Sequence, residues 1–573
     1  MKVLATTLNA KFIHSSLALR YLKGYAELHG QDMTIEEYTI NMPIYDILRD
    51  ITRGGYDVIG FACYIWNIEM TLHLCELIKE VSPSTTILLG GPEVSYTADE
   101  ILLKNSSIDY VLQGEGEEAF LAFLSEMKMH GEVQVVIPGI RHRNAEGELV
   151  GSTEVVEVLD LDSIPFPYSE EDMEQLKHRI VYYESSRGCP FSCQYCLSGN
   201  QNKLRFFSLD RVMQELQWFM DHGVRQVKFV DRTFNAKAGH HRPMMEFLAA
   251  ADTDTNFHLE MEGAIMTEWE SEFLCHSPKG RFQIEVGLQS THEETLTAVR
   301  RRNDWERIQA CMKPIIEAGR THVHMDLIVG LPHESYAIFK KSFSDLFSLA
   351  PQALQIGFLK LLRGSGVSKM AEYEYRYDRH APYEVLATHV MAYEEMRFLK
   401  TFEDVFEHFY NSEHYVRTMK LVTSQNHWVE DQRYFTFFER LAHVWLEKGN
   451  HHRKLNDLDK AIFLYEALPL CAKEVGETEE FAKDLQEACQ LDVLLTFKGK
   501  IKHEALGLPF MSKEDWKAYE GLWQEGGKLA EQLPEHEFVE WRRVKTDWYP
   551  LQRSNGEVLL VDVLGRVEPF VVQ

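Results

Sequence analysis

Cysteine is scarce in this chain, nine among 573 residues, and that scarcity excludes the dense disulfide framework of small secreted domains. Long apolar runs are missing as well. No stretch approaches the roughly 18 uninterrupted apolar residues that suggest a membrane span. The segment MKVLATTLNAKFIHSS lacks the apolar core and small-residue cleavage site of a secretory signal, so the expected address is the cytoplasm, where thiols stay reduced. Positive charge is in deficit. With 60 Lys and Arg against 88 Asp and Glu, the formal net charge is −28, which opposes attraction to phosphate backbones and argues against a nucleic-acid partner. The run Arg300, Arg301, Arg302 reads accordingly as a solvated helix end.

What is present begins with length, which predicts several domains. Over residues 1–135, short β-branched runs (MKVLATTL, DVIGFACYI, TTILLGG, YVLQGEG) alternate with helix-like segments, the rhythm of βα units around a doubly wound parallel sheet. Three strands close on YIWN (64–67), GGPE (90–93) and GEGE (114–117). In an open α/β sheet, ligands sit beyond such carboxyl ends, although glycine pairs also serve as plain turns. Residues 136–179 read as a small hairpin and a proline-stiffened linker. From 180 to 372 the βα rhythm returns, with candidate strands at 180–185, 226–231, 256–262, 282–289, 322–330 and 354–362. Six repeats suggest a partial (β/α)6 barrel with its chemistry at the carboxyl mouth. Residues 373–573 are expected to be mostly helical, closing on a hairpin in SNGEVLLVDVLGRVEPFVV.

The segment RGCPFSCQYCLSG places Cys189, Cys193 and Cys196 directly after the first barrel strand. Three thiolates there can serve an iron–sulfur cluster, a zinc ion or a redox pair. Structural zinc usually takes four ligands from paired knuckles, and this chain has no second C-x-x-C or C-x-x-H pair. A 4Fe-4S cluster on three protein thiolates keeps one iron open, which suits a substrate that must bind metal directly.

Here the sequence resembles the radical S-adenosylmethionine (SAM) superfamily, in the C-x-x-x-C-x-x-C pattern with aromatic Tyr195 before the last cysteine. The resemblance implies that the open iron chelates SAM and that electron transfer releases a 5′-deoxyadenosyl radical. It extends along later strands. KFVDRTFN places Asp231 where the family meets the methionyl amine, without the family's common Gly-Gly-Glu. EVGLQS places Glu285, Gln289 and Ser290 where ribose or carboxylate contacts arise. In DLIVGLPHE, Ile328 would lie against adenine, Gly330 would permit close approach and Glu334 would support the turn. LKLLRGSG places Leu361 in the segment whose backbone reads the adenine edge.

The order of an α/β domain, a proline linker and this barrel resembles the subgroup that carries an amino-terminal cobalamin-binding domain. The resemblance implies cobalamin held by Tyr64, Trp66 and Asn67, by Gly90, Gly91, Pro92 and Glu93, and by Gly114, Glu115 and Glu117. The D-x-H-x-x-G motif of cobalamin mutases is absent, which puts the lower axial ligand of cobalt in doubt; Trp66 is the candidate cover for that face, or simply packs. The expected function is C-methylation of an unactivated carbon through methylcobalamin. Cobalamin-assisted rearrangement or cyclisation, a methylthiotransferase-like enzyme and a redox-sensing iron–sulfur protein are the alternatives. The methylthiotransferase reading needs three amino-terminal cysteines, and only Cys63 and Cys75 occur there, both in apolar surroundings. The substrate is expected to be a small molecule or peptide, with an external electron donor such as flavodoxin or ferredoxin.

Overall fold

The computed structural model describes residues 1–200, 203–517, 519 and 547–572. By its internal contacts the chain forms two compact units, Met1–Glu334 with Gly357–Ala392, and Ser335–Ile356 with Tyr393–Gln573.

The amino-terminal sheet is built from β1 (Val3–Asn9), β2 (Thr34–Thr39), β3 (Val58–Ala62), β4 (Thr86–Gly90) and β5 (Tyr110–Leu112), parallel and ordered β2-β1-β3-β4-β5. All seven residues of β1 are buried, as expected for a parallel strand covered by helices on both faces. Val3, Ala5, Val58 and Leu88 pack with Phe120 and Phe123 on one side; Leu4, Leu8, Ile59 and Ile87 pack with Ile47, Leu74 and Ile78 on the other. Strand order reverses beside β1, which opens a crevice at the carboxyl ends. The hairpin expected in the linker region joins this sheet instead. Its strands β6 (Ile140–Arg143) and β7 (Leu149–Gly151) extend the β5 edge antiparallel, satisfying backbone groups that an edge strand leaves unpaired.

The second sheet comprises β8 (Val181–Tyr183), β11 (Gln226–Phe229), β12 (Asn256–Met261), β13 (Phe282–Gln289), β14 (His322–Val329) and β15 (Ala353–Phe358), in that order. Between β8 and β11, the two-residue strands β9 (Ser186–Arg187) and β10 (Arg205–Phe206) pair antiparallel. Along β13 and β14, buried residues (Ile284, Val286; Val323, Met325, Leu327) alternate with partly exposed ones (Glu285; His324, Asp326, Ile328). That alternation puts a polar row on one face. The sheet stays open, with β8 and β15 as edges.

The second unit does not begin at 373. Helix Tyr336–Phe347 contributes Phe339, Phe343 and Phe347 to an aromatic core with Phe402, Phe406, Phe435 and Phe438, and burial of that apolar face assigns the helix to this unit. Helices Asp457–Glu474 and Glu479–Thr496 lie in the region expected to be mostly helical. The closing strands Trp548–Gln552, Val558–Asp562 and Phe570–Val571 form a small antiparallel sheet. Among the described residues no helix is long and apolar enough to cross a membrane.

Candidate functional site

Cys189, Cys193 and Cys196 lie on the loop that leaves β9, all as free thiols. The loop is shaped by its glycines: Gly188 has φ +92°, a region that favours glycine, and a Cβ on Gly199 would stand 2.7 Å from the Cys193 carbonyl oxygen. Its middle is pinned where the Gln194 amide donates to Val299 O (2.9 Å) and the Val367 amide donates to Gln194 O (2.8 Å). Among the described residues no group of three His, Cys, Asp or Glu side chains is arranged to hold a single metal ion. The donor set is three thiols on a compact glycine-shaped loop, which fits a three-cysteine cluster.

Arg301 corrects the reading of its triple-arginine run. Its side chain is 9% exposed, and its Nη1 lies 3.8 Å from Cys193 Sγ and donates to Tyr195 Oη at 3.2 Å. Its Nη2 donates to Glu262 Oε2 at 2.7 Å and to the Gly287 carbonyl. Tyr195 is therefore a partner of this arginine as well as a neighbour of the loop.

Asp231, expected at the methionyl amine, is 1% exposed and turned toward β9. It accepts from the Ser185 amide (2.8 Å), Ser185 Oγ (2.7 Å) and Ser186 Oγ (2.6 Å). Burial raises its pKa, and those hydrogen bonds pull it back only in part. The carboxylate thus ties down the strand that feeds the cysteine loop. Glu285 is corrected too. It sits four residues, about 13 Å, before the end of its strand, where Lys228 Nζ (3.3 Å) and His258 Nε2 (3.1 Å) reach its Oε2. Burial pushes its pKa up, but the His258 hydrogen bond and the Lys228 charge prevail and hold it at about 2.

The other residues expected to meet SAM lie at or just beyond strand ends. Gln289 adopts φ +73°, and its Oε1 is buried without a hydrogen-bond partner. A Cβ on Gly287 would collide with the Gln289 amide, so that glycine makes room for it. Ser290 Oγ donates to Glu334 Oε1 at 2.6 Å, joining the ends of β13 and β14. Gly330, φ +91°, directly follows Val329, the last residue of β14. The Leu361 amide donates to Tyr383 O (3.0 Å), so that amide is not available to an adenine edge.

A cavity of about 700 Å³ opens beyond the carboxyl ends of β1, β3, β4 and β5. Its lining includes the apolar Leu22, Leu88, Leu112 and Phe120 with Gly60, and also Glu184, Arg187, Gly188, Val230 and Arg232. Of the residues expected to hold cobalamin, Tyr64, Trp66, Gly90, Gly91, Pro92, Gly114, Glu115 and Glu117 line it. Tyr64 and Trp66 stack at 4.5 Å with planes 4° apart, Trp66 remains 44% exposed, and its indole N–H donates to Leu8 O (3.2 Å). The pair forms a flat wall. Gly91, φ +100°, passes so close to β3 that a Cβ would meet Cys63 O at 2.7 Å. A cavity whose lining combines apolar side chains with a stacked aromatic pair fits a large planar cofactor.

Four expected cobalamin contacts are engaged elsewhere. Asn67 is buried and caps its own turn, accepting from the Tyr64 amide (2.8 Å) and donating to Leu8 O and Ala62 O (both 3.1 Å). Glu93 accepts from the Tyr383 hydroxyl. Glu115 binds Arg205 (2.6 Å) and Arg187 (3.2 Å), and Glu117 binds Arg187 at 2.7 Å. These carboxylates tie the GEGE turn to β9 and β10, a long-range pairing that strand-end glycines do not announce. Cys63 and Cys75 are fully buried in the core.

Glu184, on the cavity wall, is pushed up to about 7, chiefly by burial and against the pull of Arg187. A carboxyl whose folded pKa is raised contributes stability that is complete below the unfolded value and lost as pH rises through the folded one. Relative to Glu184→Gln, the wild-type chain is therefore expected to lose roughly 1–3 kcal/mol between about pH 4.5 and pH 7. Parallel denaturant unfolding of the two chains across that range measures the difference, and a flat difference contradicts it.

Residues 3–124 match the family model described as "B12 binding domain", residues 183–346 that of "Radical SAM superfamily", and residues 371–547 that of "Protein of unknown function (DUF4080)". The chain is 24% identical over 465 residues to 2-(S-pantetheinyl)-carbapenam-3-carboxylate methyltransferase of Streptantibioticus cattleyicolor, covering 73% of this chain and 66% of that protein. It is 25% identical over 347 residues to the cobalamin-dependent radical SAM methyltransferase TokK of Streptomyces tokunonensis, covering 57% of this chain and 50% of that protein. The chain thus spans between half and two thirds of these curated relatives. Its fold is similar to that of the cobalamin-dependent S-adenosylmethionine radical enzyme OxsB with aqua-cobalamin bound, with TM-score 0.61, 15% identity, and coverage of 90% of this chain and 82% of that one.

Proposed function

We propose that the chain, whose residues 3–124 match the B12 binding domain model and whose residues 183–346 match the Radical SAM superfamily model, is a cobalamin-dependent methyltransferase acting on an unactivated carbon of a small molecule or peptide. The observation that supports this most is one cavity lined both by the strand ends of the B12 domain and by Arg187, Gly188, Leu197 and Ser198 of the cysteine-bearing segment. Two cofactor sites sharing one space is the arrangement that group transfer between them needs.

Bound together, the cluster, SAM and cobalamin supply one-electron cleavage of a sulfonium and a transferable methyl group. The protein's own part is to hold and to shield. Cys189, Cys193 and Cys196 would hold the cluster; Gln289, Ser290 and the backbone at Gly330 would orient SAM; Tyr64 and Trp66 would pack against the corrin. Leu22, Leu88 and Phe120 would keep the cofactor's surroundings apolar, which protects reactive species from water. Asp231 positions the loop through Ser185 and Ser186. The electron comes from an external carrier protein such as a flavodoxin or ferredoxin, in the cytoplasm.

The test is anaerobic reconstitution of the full chain with iron, sulfide and cobalamin, followed by SAM and a one-electron reductant. Formation of 5′-deoxyadenosine above a cluster-free control is expected, with S-adenosylhomocysteine accumulating once a methyl acceptor is supplied. SAM recovered intact from reduced, cluster-loaded protein contradicts the proposal.

A further inference from the structure

The Arg301–Glu262 pair stands out because it spends two buried charges beside one cysteine. Glu262 is fixed from every side. Its amide donates to Asn235 Oδ1 (2.8 Å), its carbonyl accepts from Asn235 Nδ2 (3.0 Å), its Oε1 accepts from the Ala264 amide (3.2 Å), and its Oε2 takes the 2.7 Å bond from Arg301. Arg301 is held in turn by Glu262, the Gly287 carbonyl and Tyr195 Oη. Its Nη1 is left 3.8 Å from Cys193 Sγ. A guanidinium does not deprotonate in a protein, so a fixed positive charge stands beside one thiolate, with a fixed negative charge one residue further away.

We propose that Arg301 and Glu262 set the reduction potential of the cluster held by Cys189, Cys193 and Cys196, Arg301 raising it and Glu262 limiting the rise. The inference rests on the cluster reading above. Reduction adds one electron to the cluster from an external one-electron reductant, with no bond formed or broken. The reduced state carries one more negative charge, which a buried cation stabilises and a buried anion destabilises, in surroundings where charges are weakly screened. Arg301 is a positioning residue in this role, acting through Cys193 Sγ.

The experiment is EPR-monitored potentiometry on the reconstituted full chain without SAM, reducing stepwise with dithionite. Arg301→Gln is expected to shift the midpoint to lower potential, and Glu262→Gln to shift it to higher potential, while Arg301→Lys stays near the wild-type value because the charge remains. Opposite signs separate an electrostatic role from a structural one, since loosening the loop has no reason to move the two neutral variants in opposite directions. If Arg301→Gln fails to retain its cluster, the Glu262→Gln shift still decides. Midpoints unchanged in both variants, or displaced in the same direction, overturn the inference and leave the cluster reading standing. Wild-type protein that assembles no cluster overturns both.

Discussion

Cys193→Ala will form 5′-deoxyadenosine only at the level of a cluster-free control, while the chain stays folded. Its side chain is the most enclosed of the three loop thiols, and a cubane that already leaves one iron to SAM has no spare protein ligand to lose. The loop itself does not depend on the sulfur, because Gln194 is anchored through its backbone to Val299 and Val367. Cys275→Ala, on helix Glu268–His276, serves as the control and is expected to retain both iron and turnover. Iron content, the visible absorption of thiolate-ligated iron and product formation check the pair. Equal iron in the two variants contradicts the assignment.

Glu115→Ala will destabilise the unit that contains it by about 3–5 kcal/mol, the usual result of removing one partner from a buried ion pair. Its two oxygens serve Arg205, Arg187 and the Val158 amide (2.7 Å). Burial pushes its pKa up, but the Arg205 hydrogen bond and the Arg187 charge bring it below the ordinary carboxylate value. Its contribution is therefore present above the unfolded pKa and lost as pH falls through the folded one. Removing it leaves Arg205, 6% exposed, with a buried charge and no carboxylate in contact among the described residues. Thermal unfolding measures the loss. The folded fraction is expected to retain cobalamin, because this carboxylate faces arginines. Unchanged stability together with lost cobalamin would instead make Glu115 a direct ligand of the cofactor.

Much of this was legible locally. The cysteine pattern, the strand-end turns and the polar rows on β13 and β14 lie within single elements, where spacing and period carry the signal. What escaped depends on distance. Arg301 reads as solvated from its neighbours Arg300 and Arg302, and nothing near it indicates that Cys193, 108 residues earlier, lies beside it. Glu115 and Glu117 look like ligands at a strand end, and their arginines, 70 to 90 residues later, come from the next domain. Asn67 follows Trp66 onto the same turn, yet its amide is turned inward by its own capping bonds. Strand β2, TIEEYT, hides its place in the sheet behind acids, because Glu36 accepts from Tyr38 and Tyr56 (3.0 Å), while Glu37 binds Arg20 at 2.6 Å. Helix Tyr336–Phe347 follows the barrel pattern in sequence and is taken into the second unit by aromatic partners more than 50 residues away.

The central claim is that three cysteines leave one corner of an iron–sulfur cube to SAM. EPR of the reduced, anaerobically reconstituted full chain, recorded before and after adding SAM, tests it most directly. A 4Fe-4S signal whose g-values move on addition of SAM is the predicted result. A cluster whose spectrum is indifferent to SAM, or protein that assembles no cluster, contradicts it.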